Sequence, residues 1–268
     1  MLEISEFDRL KLIEEDETVY FKSKFKFLMT HNGFRPGELH MLLSTSGSGK
    51  TTLMKSIIFD MAKDVKILYW LSEETEKTFR KHIANKGISN SLIKNITVVS
   101  ELESPLCINS EGMGIVNALK AHVAECNPDI VIFDNITTSA AYADLKPSVQ
   151  NSVIREMKKY AAETNIPILF VAHTKGDINI YNQGLLSGND IRGSKGVINF
   201  IEFLYVFQKL SIGESYFNFI NIEKHRSQQI EGKFFALEYS PKANSYIQDW
   251  PIDFETMKEN YGQRNILK

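Results

Sequence analysis

The sequence predicts an α/β protein with a mainly parallel central sheet extended by C-terminal antiparallel strands. Three observations predict it. From Leu39 to about residue 172, short apolar runs of strand length alternate with longer amphipathic stretches, the pattern of βαβ units. Beyond residue 200 the chain becomes rich in aromatic and β-branched residues divided by short polar turns, the pattern of hairpins. The composition, 268 residues with 43% hydrophobic and 24% charged, suits one large domain or two modest ones and argues against disorder, collagen and coiled coil.

Taken in order, the first thirty residues stand apart as an arm. Leu2, Ile4, Phe7, Leu10 and Ile13 fall on one helical stripe, and TVYFKSKFKFL (18–28), with Phe25 and Phe27 alternating with Lys24 and Lys26, reads as an edge strand protected by charge. The arm (1–30) either packs against a neighbouring subunit or covers its own sheet, and residues 31–268 read as one domain. Strands are predicted at 39–44, 65–71, 96–100, 129–134 and 166–172, with helices at 50–62, 75–86, 111–126 and 147–164. IEFLYVFQ, SYFNFINIEK, KFFALEYS and NSYIQDW then read as antiparallel strands extending the same sheet.

Charge and cysteine usage narrow the setting. Lys plus Arg (31) nearly balances Asp plus Glu (33), so any nucleic-acid site must be a local patch. Cys107 and Cys126 are the only cysteines, too few for a disulfide framework and without zinc spacing, and the histidines show no metal spacing either. With no signal-peptide pattern and no apolar run of ~20 residues, the expected setting is the cytosol, without a membrane.

The strongest chemical signal is LHMLLSTSGSGKTTL, an apolar strand entering a small glycine-containing loop and then a helix, the context a phosphate-binding loop requires. Ser46, Gly47, Ser48, Gly49, Lys50, Thr51 and Thr52 form the expected cradle, in which backbone amides and the helix dipole bind phosphate oxygens. Lys50 would neutralise the β and γ phosphates and the Thr51 hydroxyl would ligate Mg²⁺. Where the pattern G-x-x-x-x-G-K-[ST] places its first glycine, this chain has Ser44.

Such a loop needs a carboxylate on a neighbouring strand for the magnesium, and Asp134 ends the apolar run DIVIFD at the C-terminal edge where ligands bind. Asp129, at the other end of that run, receives no role. Glu73 and Glu74 follow the second strand and are candidates to orient and deprotonate water. His173 and Lys175 follow the fifth strand, where a side chain can touch the γ-phosphate.

Together these residues resemble the RecA-like P-loop ATPase core. NDIRGSKGVINFIEFLYVFQK resembles the D-[IL]-R-x-S-G-x-[IL] segment of DnaB-type and phage helicase-primase ring helicases, and FINIEKHRSQQIEGKFFALEYSPKANSYIQ resembles their K-x-R-x-x-x-x-G hairpin and final strands. The resemblance spans about residues 33–249 and is closest to the Twinkle-like branch through His173. It implies ATP and Mg²⁺ as cofactors, Glu73 as the catalytic glutamate with Glu74 leaving the choice open, and His173 as γ-phosphate sensor. It further implies Arg226 as an arginine finger reaching a neighbouring subunit and Lys224 as its basic companion. Lys175, Arg192, Gly193, Ser194 and Lys195 would then line a channel for single-stranded DNA. The implied protein is a hexameric ring that hydrolyses ATP to translocate on DNA, with a separate primase or loader. One departure is that the hairpin glycine is delayed to Gly232. A recombinase of the same fold, or a nucleotide-switched assembly or loading ATPase, stays open beside it. Trp70, Tyr142, Tyr181 and Phe217 could stack on bases but read as core.

Overall fold

Each strand of a sheet sends successive side chains to opposite faces, and here both faces are apolar over five consecutive runs, so helices must cover both. The fold comes from a computed structural model that describes residues 21–30, 32–86, 88–103, 112–175, 185–212, 215–226, 232–253 and 255–256. One nine-stranded sheet has the order β3-β2-β4-β5-β1-β6-β7-β8-β9. Its parallel strands are β1 (Leu39–Ser44), β2 (Ile67–Leu71), β3 (Ile96–Ser100), β4 (Ile130–Asp134), β5 (Ile168–His173) and β6 (Phe203–Ile212). An antiparallel meander completes it with β7 (Ser215–His225), β8 (Lys233–Ser240) and β9 (Ser245–Ile252).

Leu42, Tyr69, Ile132, Val171 and Tyr205 point to one face, where they pack with α1 (Lys50–Met61) and α2 (Glu76–Asn85). On the other face Met41, Trp70, Val131, Phe133 and Phe170 pack with α3 (Met113–Cys126) and α4 (Pro147–Thr164). Each such large side chain, fully buried, contributes about 1.5–3 kcal/mol of transfer free energy. Local signals set the helix ends: Thr75 caps α2 by accepting the Thr78 N–H at 3.1 Å, and Pro147 opens α4. Asn127 and Asn165 close α3 and α4 in the left-handed conformation.

Three expectations need correction. The segment expected as an edge strand holds a single helical turn, Lys26–Met29, because the Asp249 carboxylate on β9 accepts the N–H groups of Lys26 (2.6 Å) and Phe27 (2.8 Å) and caps it from 222 residues away. Phe25, Phe27 and Leu28 are buried in the core, so residues 21–30 cover the chain's own sheet. The first of the four C-terminal strands is parallel to β1 rather than antiparallel. The chain crosses from the C-terminal edge back to the N-terminal edge before β6, where Glu202 donates its N–H to Leu39 O and accepts the Leu39 N–H on its carboxylate, both at 2.9 Å. Finally, the strand carrying Asp134 is not a neighbour of β1, since β5 lies between them.

The expected N-terminal stripe, Cys107 and Tyr181 lie outside the described residues. Trp70 and Tyr142 are core, and Phe217 packs on Phe219. Among the described residues no helix is long and apolar enough to cross a membrane.

Candidate nucleotide site

At the C-terminal edge of β1 the chain enters the loop that precedes α1. Gly47 (φ +71°) and Gly49 (φ +99°) take left-handed conformations there, which side chains resist, and Gly49 starts α1 without any side-chain cap. The first amides of α1 are therefore left for a ligand. Ser44, standing where the motif has glycine, is fully buried and donates its hydroxyl to Ser48 Oγ at 2.6 Å, while Ser48 Oγ donates to Thr45 O at 2.9 Å. The substitution thus adds a hydrogen-bonded strut beneath the loop instead of blocking it.

Lys50 Nζ donates to Thr45 O (2.6 Å) and meets His173 Nδ1 (3.0 Å), leaving one of its three protons for a ligand. Burial lowers its pKa to about 8 against the opposing charges of Asp134 and Glu73. Ser46, Gly47, Gly49, Lys50, Thr51, Thr52, Glu73, Asn135 and His173 line a cavity of about 280 Å³.

Glu73 and Glu74, neighbours in sequence, part company in space. Glu73 faces the cavity, where Asn135 Nδ2 donates to its Oε1 at 3.0 Å and His173 Nε2 lies 3.3 Å from the same oxygen. Partial burial raises its pKa, but hydrogen bonds from Thr138, His173 and Asn135 together with the His173 charge outweigh that and hold it below the usual value. Glu74 instead pairs with Lys55 at 2.7 Å on α1. His173 has its pKa lowered by burial first and then by Lys50 and Arg192, with Glu73 opposing. Its neutral form, accepting from Lys50 on Nδ1 and donating to Glu73 from Nε2, satisfies both contacts.

Asp134 ends β4 below this cavity. It is buried, and Tyr69 Oη donates to its Oδ2 at 2.7 Å. Burial raises its pKa to about 6, offset in part by the Tyr69 hydrogen bond and the Lys50 charge. Among the described residues no group of three His, Cys, Asp or Glu could hold a metal alone. The hard oxygen donors present, the Thr51 hydroxyl and the Asp134 carboxylate, fit a magnesium that takes its remaining ligands from phosphate and water. Asp129 sits at the opposite edge, bonded to the Lys66 N–H at 2.7 Å.

The segment after β5 is tied directly to the site. Arg192 donates its N–H to His173 O (2.9 Å), Thr174 bridges Ile191, and Lys175 donates to Asp190 O (2.9 Å). Lys175, Arg192 and Lys195 are exposed. Gly193 (φ +94°) passes so close to α4 that a Cβ would sit 2.8 Å from Gln150 Oε1. Ser194 is buried: Gln150 Oε1 accepts its N–H and Asn151 Oδ1 its hydroxyl, both at 2.8 Å. Its side chain is thereby spent on α4.

Lys224 and Arg226 lie at the opposite edge of the sheet from the loop of β1, beside the start of β6. There Lys224 Nζ donates to Ile198 O and the Arg226 guanidinium to Asn199 O. Neither reaches this chain's own phosphate cavity.

Sequence reasoning missed Asn135, which a turn residue directly after DIVIFD could have signalled. It also missed a neighbouring cavity of about 320 Å³ lined by Gly49, Thr52, Lys209, Asn218, Tyr239 and Tyr246. Asn218 is buried and its Oδ1 has no hydrogen-bond partner among the described residues, so an amide and two tyrosine rings meet beside the phosphate loop. That combination suits a planar base with hydrogen-bonding edges.

Comparison with known proteins agrees with this architecture. A model of the AAA domain family (AAA_25) matches residues 28–177, more than half of the chain. A KaiC-like protein from the hyperthermophilic archaeon Pyrococcus horikoshii shares the fold, with a TM-score of 0.65 at 15% identity over 87% of this chain and 100% of that one. No curated protein matches the sequence. A phosphate-binding loop between β1 and α1, acidic groups at the same sheet edge and a family match over both place the chain in the AAA domain family, as a P-loop ATPase of RecA-like fold.

Proposed function

We propose that the protein hydrolyses ATP with Mg²⁺ in a homo-oligomeric ring, a hexamer by the DnaB-type resemblance, and couples hydrolysis to movement on single-stranded DNA. In this reading the amides at the start of α1 and Lys50 hold the phosphates, and Thr51 with Asp134 holds the metal. Magnesium supplies charge neutralisation of the phosphate oxygens. Glu73 accepts the proton of the attacking water, kept ionised and aimed by Asn135 and His173. Asn218 and Tyr246 receive the base. Arg226, far from its own cavity and supported by Lys224, serves the nucleotide of a neighbouring subunit, so hydrolysis depends on assembly.

The observation that carries the motor reading is the link through His173. Its ring touches Lys50 and Glu73, and its carbonyl accepts the Arg192 N–H at 2.9 Å. Loss of the γ-phosphate therefore changes the contacts of a residue bonded directly to the basic segment Arg192–Lys195. With Lys175, these cations supply the local patch that a net charge of −2 otherwise denies. A separate primase or loader would complete such a machine. The test is ATP hydrolysis by the native chain and by Arg192→Ala with Lys195→Ala: DNA stimulation present in the first and lost in the second, with basal turnover kept, supports the motor.

A second reading, a nucleotide-switched assembly or loading ATPase, is favoured by one observation. Gly193 and Ser194 are seated on Gln150 and Asn151 of α4, so half of the expected DNA loop is engaged within the chain. Turnover indifferent to DNA would select it.

A further inference from the structure

One cleft outside the nucleotide site lies along the outer face of α1, between the end of α2 and the turn joining β8 to β9. It measures about 550 Å³, the size of small-molecule sites, and among the described residues shares only Tyr246 with the cavity beside the phosphate loop. Cationic side chains reach it from four separate segments: Lys24 before the first helical turn, Lys63 after α1, Lys86 after α2 and Lys242 in the β8–β9 turn. The one acid among its described lining residues, Asp60, is already engaged, accepting from Ser23 Oγ (3.0 Å), the Lys24 N–H (2.6 Å) and Lys63 Nζ (3.1 Å). His82 also lines the cleft, and its buried Nε2 has no hydrogen-bond partner among the described residues.

We infer that this cleft is a second, anionic ligand site that takes a small polyphosphate or phosphorylated molecule, distinct from the nucleotide held at the loop of β1. Four lysines around one committed carboxylate leave an excess of positive charge, and lysine binds phosphate as a point charge without demanding a planar partner. Burial first, then Lys55, lowers the Lys86 pKa, and burial followed by Lys55 and Lys86, with Glu74 opposing, lowers that of His82, so an anion here favours the charged form of both. Lys86 is pre-positioned, with Nζ donating to Asn244 O at 2.6 Å and standing 6.0 Å from the Phe59 ring centre. A cleft of about 550 Å³ lined from α1, the end of α2, the β8–β9 turn and Lys24 matches a compact anion better than an extended acidic chain.

The test is calorimetric titration of the full chain carrying Lys50→Ala, which disables the phosphate loop, with inorganic tripolyphosphate at low salt. One equivalent should still bind. Adding Lys86→Gln and Lys242→Gln should weaken that binding about tenfold or more, and Lys242→Arg should retain it. A silent titration of Lys50→Ala, or affinity unchanged by the paired glutamines, overturns the inference. So does binding only of a synthetic peptide of residues 1–20, which carries seven acidic and two basic residues, or only of oligo-dT. Circular dichroism and melting of the same variants verify that each is folded.

Discussion

The backbone carbonyl of His173 accepts the N–H of Arg192 at 2.9 Å, so the residue whose ring spans Lys50 and Glu73 is one hydrogen bond from the basic segment that follows. His173→Ala removes the ring and keeps that backbone bond. It should leave nucleotide binding within a few fold and abolish any stimulation of turnover by single-stranded DNA. Steady-state hydrolysis with and without oligo-dT measures this, and stimulation that survives the change refutes coupling through the ring.

The two glutamates should separate cleanly. Glu73→Gln keeps the Asn135 and His173 contacts but loses the base, so turnover should fall about 10²–10⁴-fold with nucleotide affinity intact. Glu74→Gln leaves Lys55, whose side chain is 6% exposed, without its charge partner and should cost about 1–3 kcal/mol of stability while sparing turnover. Thermal melts and hydrolysis rates on both variants decide it, and the opposite pattern would assign the chemistry to Glu74.

Ser44 offers a test of the altered loop. Ser44→Ala deletes the 2.6 Å bond to Ser48 and leaves that buried hydroxyl short of a partner, a cost of about 1 kcal/mol. Ser44→Gly restores the motif's glycine yet should lower the melting temperature further, because it adds backbone freedom inside β1. Equal or higher stability of the glycine variant would show that the strut is idle.

Lys50 sets a pH dependence. Its folded pKa, about 8, lies below the ordinary lysine value of 10.5, so between those values the unfolded chain holds a proton that the free folded chain has released. Stability of the free protein should therefore rise with pH across that window. Nucleotide affinity moves the other way: it should be flat below about pH 8 and then weaken by up to about tenfold per pH unit as the cation is lost. Magnesium-free binding of a nucleotide analogue from pH 6 to 10 reads the effect, and Lys50→Met should remove both trends.

How much of this was legible in the sequence follows the range of the interactions. The run LHMLLS gives β1 to the residue, because an apolar run bounded by polar residues is a local signal, and Pro147 and Thr164 likewise bound α4. The helical turn at Lys26 was not legible, since lysine–phenylalanine alternation satisfies a strand and the deciding carboxylate, Asp249, is more than 220 residues away. Nor was the direction of β6, which depends on a crossover rather than on any property of FLYVFQKLSI. In the site, Asp134 and His173 were visible because each ends an apolar run, Glu73 because it closely follows one, and Lys50 because a small glycine-containing loop joins an apolar run to a helix at that point. Asn218 and Tyr246 look like any residues of a two-faced strand until β6 to β9 bring them beside Gly49.

The central claim is that a nucleotide site built around Lys50 drives movement on DNA within an assembly. It is tested most directly by measuring ATP hydrolysis with and without single-stranded DNA, with Lys50→Ala as the blank, while light scattering records the mass of the same samples. Strong stimulation by DNA from a species of several subunits is the predicted result. Turnover that ignores DNA, from a chain that stays monomeric, would contradict it and leave the switch ATPase.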